Sequence, residues 1–305
     1  VNVSEVEHIP VLANKLAEQI ILPPEGVMVD ATIGQGGHSY LFGRFLNKDG
    51  QLIGLDVDEK SIKSAEARLR ELSCKVILIR SNFAEIRQAM ESSGVEKADF
   101  ILADLGVSSV QLADAEIGLS FAEDMPLDMR MDKGLKVSAA DIVNRMGERE
   151  LADLIYKYGE DRASKRIARF IVQQRRQQPI ITTGRLSEVV CRALGAHCKQ
   201  GHYGRRERIH PATRTFQALR IAVNNELENL ESLLEETPAL LKKDGRIAII
   251  SFHSLEDRLV KQNFIRNKQA GIYKIITKKP IMPDREEITQ NRRSRSAKLR
   301  IAQKI

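Results

Sequence analysis

Apolar and polar positions alternate along this chain in two distinct regimes. In the first hundred residues, short apolar runs alternate with stretches of helical period: Val27-Met28-Val29, Gln51 to Asp56, Lys75 to Arg80 and Ala98 to Asp104 read as strands, and Glu59 to Leu72 reads as a helix. Each of these strands ends in a carboxylate, a glycine loop or another polar group. From Ser138 onward the alternation stops, and helical patterns follow one another over Ala139 to Met146, Glu148 to Tyr158, Arg162 to Gln178 and Arg185 to Leu194. A helix is expected to resume from Thr213 to Leu234. Strand patterns then return at Gly245 to Ser251, Ile272 to Thr277 and Ala297 to Ala302. The pattern predicts an α/β fold with an open, doubly wound, Rossmann-like sheet of about seven strands interrupted by a helical insertion. The sheet domain is assigned to residues 1–112 and 213–305, and the insertion to 113–212.

The first strand runs into Asp30-Ala-Thr-Ile-Gly34-Gln-Gly36-Gly37-His38-Ser39, a glycine loop that opens a helix. Glycines there let the backbone turn tightly and approach a ligand without a Cβ in the way. A dinucleotide fingerprint needs glycine at position 39, where this chain has serine. Asp30 inside the loop suits a ligand with an α-amino group better than a pyrophosphate. The loop is therefore read as a site for S-adenosylmethionine rather than NAD. Asp56, 20 residues beyond Gly36, stands where a carboxylate takes ribose hydroxyls. Phe83 follows the third strand and is placed to cover the adenine, and Asp104 closes the fourth. Asp58 precedes a helical run and is expected to be its N-cap.

The chain has 305 residues, 42% hydrophobic and 29% charged, enough for one large or two modest domains. Its charge is uneven: residues 139–215 hold 16 Lys and Arg against 8 Asp and Glu, and the remainder 32 against 33. The whole basic excess lies in the helical insertion, with Arg162, Lys165, Arg166, Arg169, Arg175 and Arg176 on one long helix and Arg205, Arg206 and Arg208 in a loop. Such a distribution fits a phosphate backbone. Arg292, Arg293 and Arg295 form a second, short basic patch. Cys74, Cys191 and Cys198 make no disulfide framework and suit a reducing compartment. Cys191, His197, Cys198 and His202 lack metal-site spacing, and no metal is expected. No apolar run reaches membrane-spanning length, and neither a signal segment nor an Arg/Ser-rich transit peptide opens the sequence, so a cytoplasmic enzyme is expected.

Longer blocks add a family resemblance across almost the whole chain. They are His8 to Val11, Gly34 to Ser39, Asp104-Leu-Gly-Val-Ser-Ser109, Gln111-Leu112, Pro126 to Asp132, Tyr158-Gly-Glu160, His210 to Arg220 and Ser251 to Arg258. Through them the chain resembles the bacterial RsmH (MraW) family, which methylates N4 of a cytidine in the decoding region of small-subunit (16S) ribosomal RNA. The resemblance implies an S-adenosylmethionine-dependent rRNA methyltransferase with a helical substrate domain after the fourth strand, acting on rRNA within an assembled or late-assembly small subunit. It also implies cofactor contacts from Gly36, Gly37, His38, Asp56, Phe83, Asp104 and Gln111; His38 and Gln111 come from the resemblance alone.

Many amino-methylating enzymes carry an Asp/Asn-Pro-Pro-aromatic block after the fourth strand, where this chain has Asp104-Leu105-Gly106-Val107. Asp104 is the candidate catalytic acceptor for the cytosine amine, with Ser108, Asp128, His210 or His253 as alternatives for orienting the base. Arg130, Arg214 and Arg220 are candidate substrate contacts, and salt bridges from Arg214 and Arg220 to Asp128 or Asp132 are the competing structural role. Two other readings stay open: a methyltransferase of a small molecule, for which the basic insertion is incidental, and a non-catalytic ribosome-assembly factor that keeps S-adenosylmethionine as a structural ligand.

Overall fold

The computed structural model describes residues 10–108, 111–112, 114–195 and 210–305. The basic loop Arg205 to Arg208 and the trio His197, Cys198 and His202 lie outside the described residues. The chain forms two compact units, one of Val1–Gly106 with Leu227–Ile305 and one of Val107–Glu226.

The first unit is built on a seven-stranded sheet. Its strands are β1 (Val27–Asp30), β2 (Gln51–Asp56), β3 (Lys75–Arg80), β4 (Ala98–Asp104), β5 (Leu241–Ser251), β6 (Tyr273–Ile275) and β7 (Lys298–Lys304), in the order β3-β2-β1-β4-β5-β7-β6. Pairing is parallel from β3 through β5, and β7 is antiparallel to both its neighbours. Apolar residues occupy nearly every strand position because both faces are covered. Val29, Ile53, Ile101, Ile247 and Ile249 enter one core, against the helices α4 (Ile86–Ser92), α10 (Glu226–Leu240) and α11 (Ser254–Gln269). Met28, Leu52, Phe100, Leu102 and Ile250 enter the other, against α1 (Ala13–Ala17), α2 (Gly37–Gly43) and α3 (Glu59–Leu69). Asp58 caps α3 by accepting the Lys60 N–H at 3.0 Å, as its position predicts.

The parallel strands leave their C-terminal ends on one edge, and the order turns back at β1 and β4. Open α/β sheets bind ligands at such a reversal. Asp30, Asp56 and Asp104 stand at the ends of β1, β2 and β4.

The second unit is helical: α5 (Ala139–Arg145), α6 (Glu148–Gly159), α7 (Ser164–Gln177), α8 (Thr183–Leu194) and α9 (Thr213–Asn224) enclose a core of their own. The division differs from the sequence reading, which gave Thr213 onward to the sheet domain and continued that helix to Leu234. Asn225 adopts a left-handed φ of 49° and ends α9, so α10 starts anew at Glu226. Asparagine tolerates that conformation better than most residues. Helix α9 belongs with α6: a Cβ on Gly159 would lie 2.6 Å from the Arg214 carbonyl oxygen, and Phe216, Leu219 and Val223 fill the helical core. Cys191 is disulfide-bonded, a bond that the sequence reading, which found no disulfide framework and a reducing compartment, did not anticipate, while Cys74 is free and buried. Among the described residues no helix is long and apolar enough to cross a membrane.

Candidate functional site

Three buried or half-buried carboxylates and a glycine loop converge on the C-terminal edge of β1, β2 and β4. The loop depends on glycine at two points. Gly34 and Gly36 have φ of 50° and 76°, where an L-residue is strained. A Cβ on Gly34 would meet nothing closer than the Thr32 carbonyl oxygen at 4.0 Å, so the backbone there borders open space. Gly37 has the opposite surroundings, since a Cβ would lie 2.9 Å from Pro10.

Asp30 faces inward. Its carboxylate accepts the Ser39 hydroxyl at 2.6 Å and the Thr32 N–H at 3.2 Å, and it is 2% exposed. Burial pushes its pKa up to about 6, against the pull of those two hydrogen bonds. Ser39 thus has a structural reason to stand where a dinucleotide site has glycine. Asp56 accepts the Gly34 N–H at 3.0 Å on one oxygen and the Asp58 N–H at 2.9 Å on the other, which ties β2 to the glycine loop. Burial lifts its pKa to about 6 as well. Each Asp56 oxygen has used one lone pair and can accept again.

Asp104 is the most perturbed of the three. Its backbone N–H donates to Thr32 Oγ1 at 2.7 Å, and its Oδ1 is buried without a hydrogen-bond partner among the described residues. Burial drives its pKa well above the carboxylate range, and the carboxylates of Asp30 and Glu256 add to the rise. His38 Nε2 lies 2.8 Å from the Val11 carbonyl, which can only accept, so that nitrogen carries a proton. Nδ1 then faces Asp104 Oδ2 at 3.6 Å. His38 therefore links the glycine-loop helix to the end of β4, a link that periodicity alone does not reveal.

Phe83 opens a 3₁₀ turn, Phe83–Glu85, beyond β3, and packs partly buried against the sheet core. His253 caps α11: its Nδ1 accepts the Glu256 N–H at 3.3 Å, while the Glu256 carboxylate accepts the backbone N–H groups of Phe252 and His253. Its Nε2 stands 3.3 Å from the same carboxylate, so the ring serves the helix start. Glu256, buried at 3% exposure, was missed as a neighbour of Asp104, although His253-x-x-Glu256 has the spacing of a capping box.

The remaining candidates belong to the helical unit. Ser108 and Gln111 cap each other, with the Ser108 N–H donating to Gln111 Oε1 at 2.9 Å and the Gln111 N–H to Ser108 Oγ at 3.1 Å. Asp128 and Arg130 form a two-pronged pair at 2.6 and 2.7 Å, which holds the Asp128 carboxyl below its usual range. His210 accepts the Ala212 N–H at 3.0 Å and lies against Phe121 with ring centroids 4.4 Å apart. Arg214 is exposed and donates to the Glu160 carbonyl at 3.2 Å. Arg220 is paired with Glu226 at 2.8 Å. Asn224 was also missed. It takes the Met131 N–H at 2.9 Å and donates to the Met129 carbonyl at 2.8 Å, pinning a turn in which Met129 has a left-handed φ of 65°. Asn224→Ala leaves both backbone groups unpaired and lowers stability by about 2 kcal/mol, measurable by denaturant unfolding.

Residues 5–305 match the model of the MraW methylase family. The chain is 45% identical to a ribosomal RNA small subunit methyltransferase H from Clostridioides difficile, covering 99% of this chain and 100% of that protein. It is 47% identical to the protein of the same name from a Cyanothece species, covering 99% and 96%. A solved rRNA methylase from Streptococcus thermophilus is 12% identical with a TM-score of 0.45, covering 96% of this chain and 93% of that one.

Proposed function

The chain belongs to the MraW methylase family, and from that premise we propose that it transfers a methyl group from S-adenosylmethionine to N4 of a cytidine in the decoding region of small-subunit (16S) ribosomal RNA. The observation that carries this reading is full-length identity of 42 to 47% to relatives named as ribosomal RNA small subunit methyltransferase H. We place the reaction in the cytoplasm, on an assembled or late-assembly small subunit, with no metal.

The residues at the strand ends fit the cofactor: a glycine backbone bordering open space, a half-buried carboxylate with lone pairs to spare, and an orphaned buried oxygen at Asp104. When bound, S-adenosylmethionine supplies an already activated methyl group, which leaves the protein the work of alignment and water exclusion. Gly34, whose backbone borders open space, would admit the ligand, Gly36 and Gly37 would hold the loop tight against Ala65 and Pro10, Asp56 would receive the ribose hydroxyls, and Phe83 would cover the adenine. The family resemblance further implies His38 and Gln111 as cofactor contacts.

The amine is the harder partner, because its lone pair is delocalised into the cytosine ring. Asp104 Oδ1, buried without a hydrogen-bond partner among the described residues, is placed to accept an N4–H, drawing the nitrogen toward a pyramidal, nucleophilic form, and in its ionised form the carboxylate takes the proton as the N–C bond forms. Ser108 and His210 orient the base, and His253 supports Asp104 through Glu256. Asp128 and Arg130, paired with each other, shape the substrate loop. Arg214 and the exposed Arg162, Lys165, Arg166, Arg169 and Arg176 offer charge to the phosphate backbone. Arg220 is tied to Glu226 and holds the end of α9.

The test is to incubate the protein with methyl-labelled cofactor and small subunits from cells lacking the family enzyme, then digest the RNA. Label in N4-methylcytidine at one decoding-region site is the expected result. No label in subunits or free rRNA, with cofactor binding intact, overturns the proposal.

A further inference from the structure

The sheet unit carries a charged surface that the proposed mechanism does not use. The connection from β6 to β7, residues 276–297, leads to the same sheet edge as Asp104: β6 runs toward that edge and stops at Ile275, opposite Ala302, and β7 starts there with Lys298 opposite Ser251. Asp104 at the end of β4 is opposite Ile250. The start of β7 is therefore two strand spacings from Asp104, roughly 10 Å.

Within this connection the 3₁₀ turn Arg292–Ser296 has a fixed orientation. Asn291 caps it by accepting the Arg293 N–H at 3.2 Å, Ser294 donates its hydroxyl to the Asn291 carbonyl at 2.8 Å, and Ser294 and Ala297 are both fully buried. With those two positions facing inward, Arg292, Arg293 and Arg295 are held in solvent. None of the three makes an ion pair with a described residue. The nearby Lys298 and Arg300 behave differently, since Asp257 neutralises both, at 3.4 and 2.7 Å. Lys278 and Lys279, at the beginning of the same connection, are also exposed. The segment thus separates cations engaged in the fold from cations presented outward on the catalytic edge.

Three guanidinium groups on one turn repel one another, and although Asp284, Glu286 and Glu287 lie in the same connection, a turn that keeps the three together with no carboxylate of the described residues paired to them suits a ligand bearing several negative charges. Guanidinium pairs with phosphate oxygens in a two-pronged fashion. We propose that Arg292, Arg293 and Arg295 form a phosphate-binding surface on the sheet unit that grips the RNA backbone flanking the target nucleotide. This rests on the reading of the chain as an rRNA methylase. It gives the sheet unit a hold on RNA separate from that of the helical unit, which helps offset the few kcal/mol needed to swing a base out of its stack.

The experiment compares the full chain with the triple variant Arg292→Ala, Arg293→Ala, Arg295→Ala and with the matching triple Lys variant. Readouts are cofactor affinity, thermal melting, methylation kinetics on small subunits, and equilibrium binding of an rRNA fragment over a range of salt. The Ala variant is expected to keep its melting temperature, cofactor affinity and kcat. Its KM for subunits rises about tenfold, and its plot of log affinity against log salt becomes shallower by about 2, the share of three lost phosphate contacts. The Lys variant keeps most of the salt slope. Unchanged KM and salt slope in the Ala variant overturn the proposal. So does lost binding to phosphatidylglycerol vesicles with RNA binding intact, which assigns the patch to a lipid surface. If the parent protein labels no cytidine, the proposed function fails by itself, and the RNA salt slope still reads the patch.

Discussion

Asp104→Asn lowers kcat for methyl transfer by about a hundred- to ten-thousand-fold, the range for a positioned proton acceptor or electrostatic group, while the ligand-free protein melts at the same temperature or higher. The two effects have one origin. The Asp104 carboxyl is held well above its usual range because its surroundings disfavour the charge, through burial first and then through Asp30 and Glu256. Asparagine keeps the shape and removes the charge, so the fold loses a source of repulsion. Its amide can also donate toward His38 Nδ1, 3.6 Å from the present Oδ2. What it cannot do is take a proton from the cytosine amine. Single-turnover kinetics and a thermal melt of the same preparation decide the matter. A retained kcat removes Asp104 from the chemistry, and a melting temperature several degrees lower makes it a structural residue.

The strands and helices were legible in the sequence wherever local pattern decides. Strands β2, β3 and β4 run between the residues predicted, since each is an apolar run closed by polar groups. Strand β5 starts at Leu241 instead of Gly245, because Lys242, Lys243 and Asp244 break the apolar pattern and Asp244 has a φ of 63°. The boundary of the helical unit was misplaced for a similar reason. Period alone carries a helix through Asn225, and only the close packing of α9 on Gly159 shows where the chain changes unit. At the candidate site, the glycine loop, Asp56 and Asp104 could be found from their places after apolar runs. The coupling of Asp104 with Asp30, His38 and Glu256 could not, since those residues are far apart in sequence and meet only through the sheet order. The caps were partly readable: Asp58 was identified by position, whereas the mutual capping of Ser108 and Gln111 carries no signal in the pattern.

The same carboxylates govern how the ligand-free protein responds to pH, and its stability is expected to fall as pH rises from about 4 toward 7. Asp30 and Asp56 have folded-state values of about 6 against 3.8 for the ordinary group. Between those limits the folded state keeps protons that the unfolded chain has released, so raising the pH favours unfolding until both groups have ionised. At 1.36 kcal/mol per unit, each contributes an upper limit of about 3 kcal/mol. Asp104 shifts in the same direction. Asp128 and Asp257 are lowered by arginine partners and act oppositely: their contribution is complete above the ordinary value and fades only as pH falls below about 4. The window above about 4.5 therefore separates the raised carboxylates from the lowered ones. Melts across it should show a midpoint dropping by several degrees, and Asp30→Asn should flatten the profile by removing one of the titrating groups. S-adenosylmethionine carries a positive sulfonium and favours ionised carboxylates around it, so its affinity is expected to rise over the same window. A midpoint that climbs between pH about 4.5 and 6.5 without ligand would mean that the strand-end carboxylates ionise in the folded protein as readily as in the unfolded chain, and would overturn the expected profile.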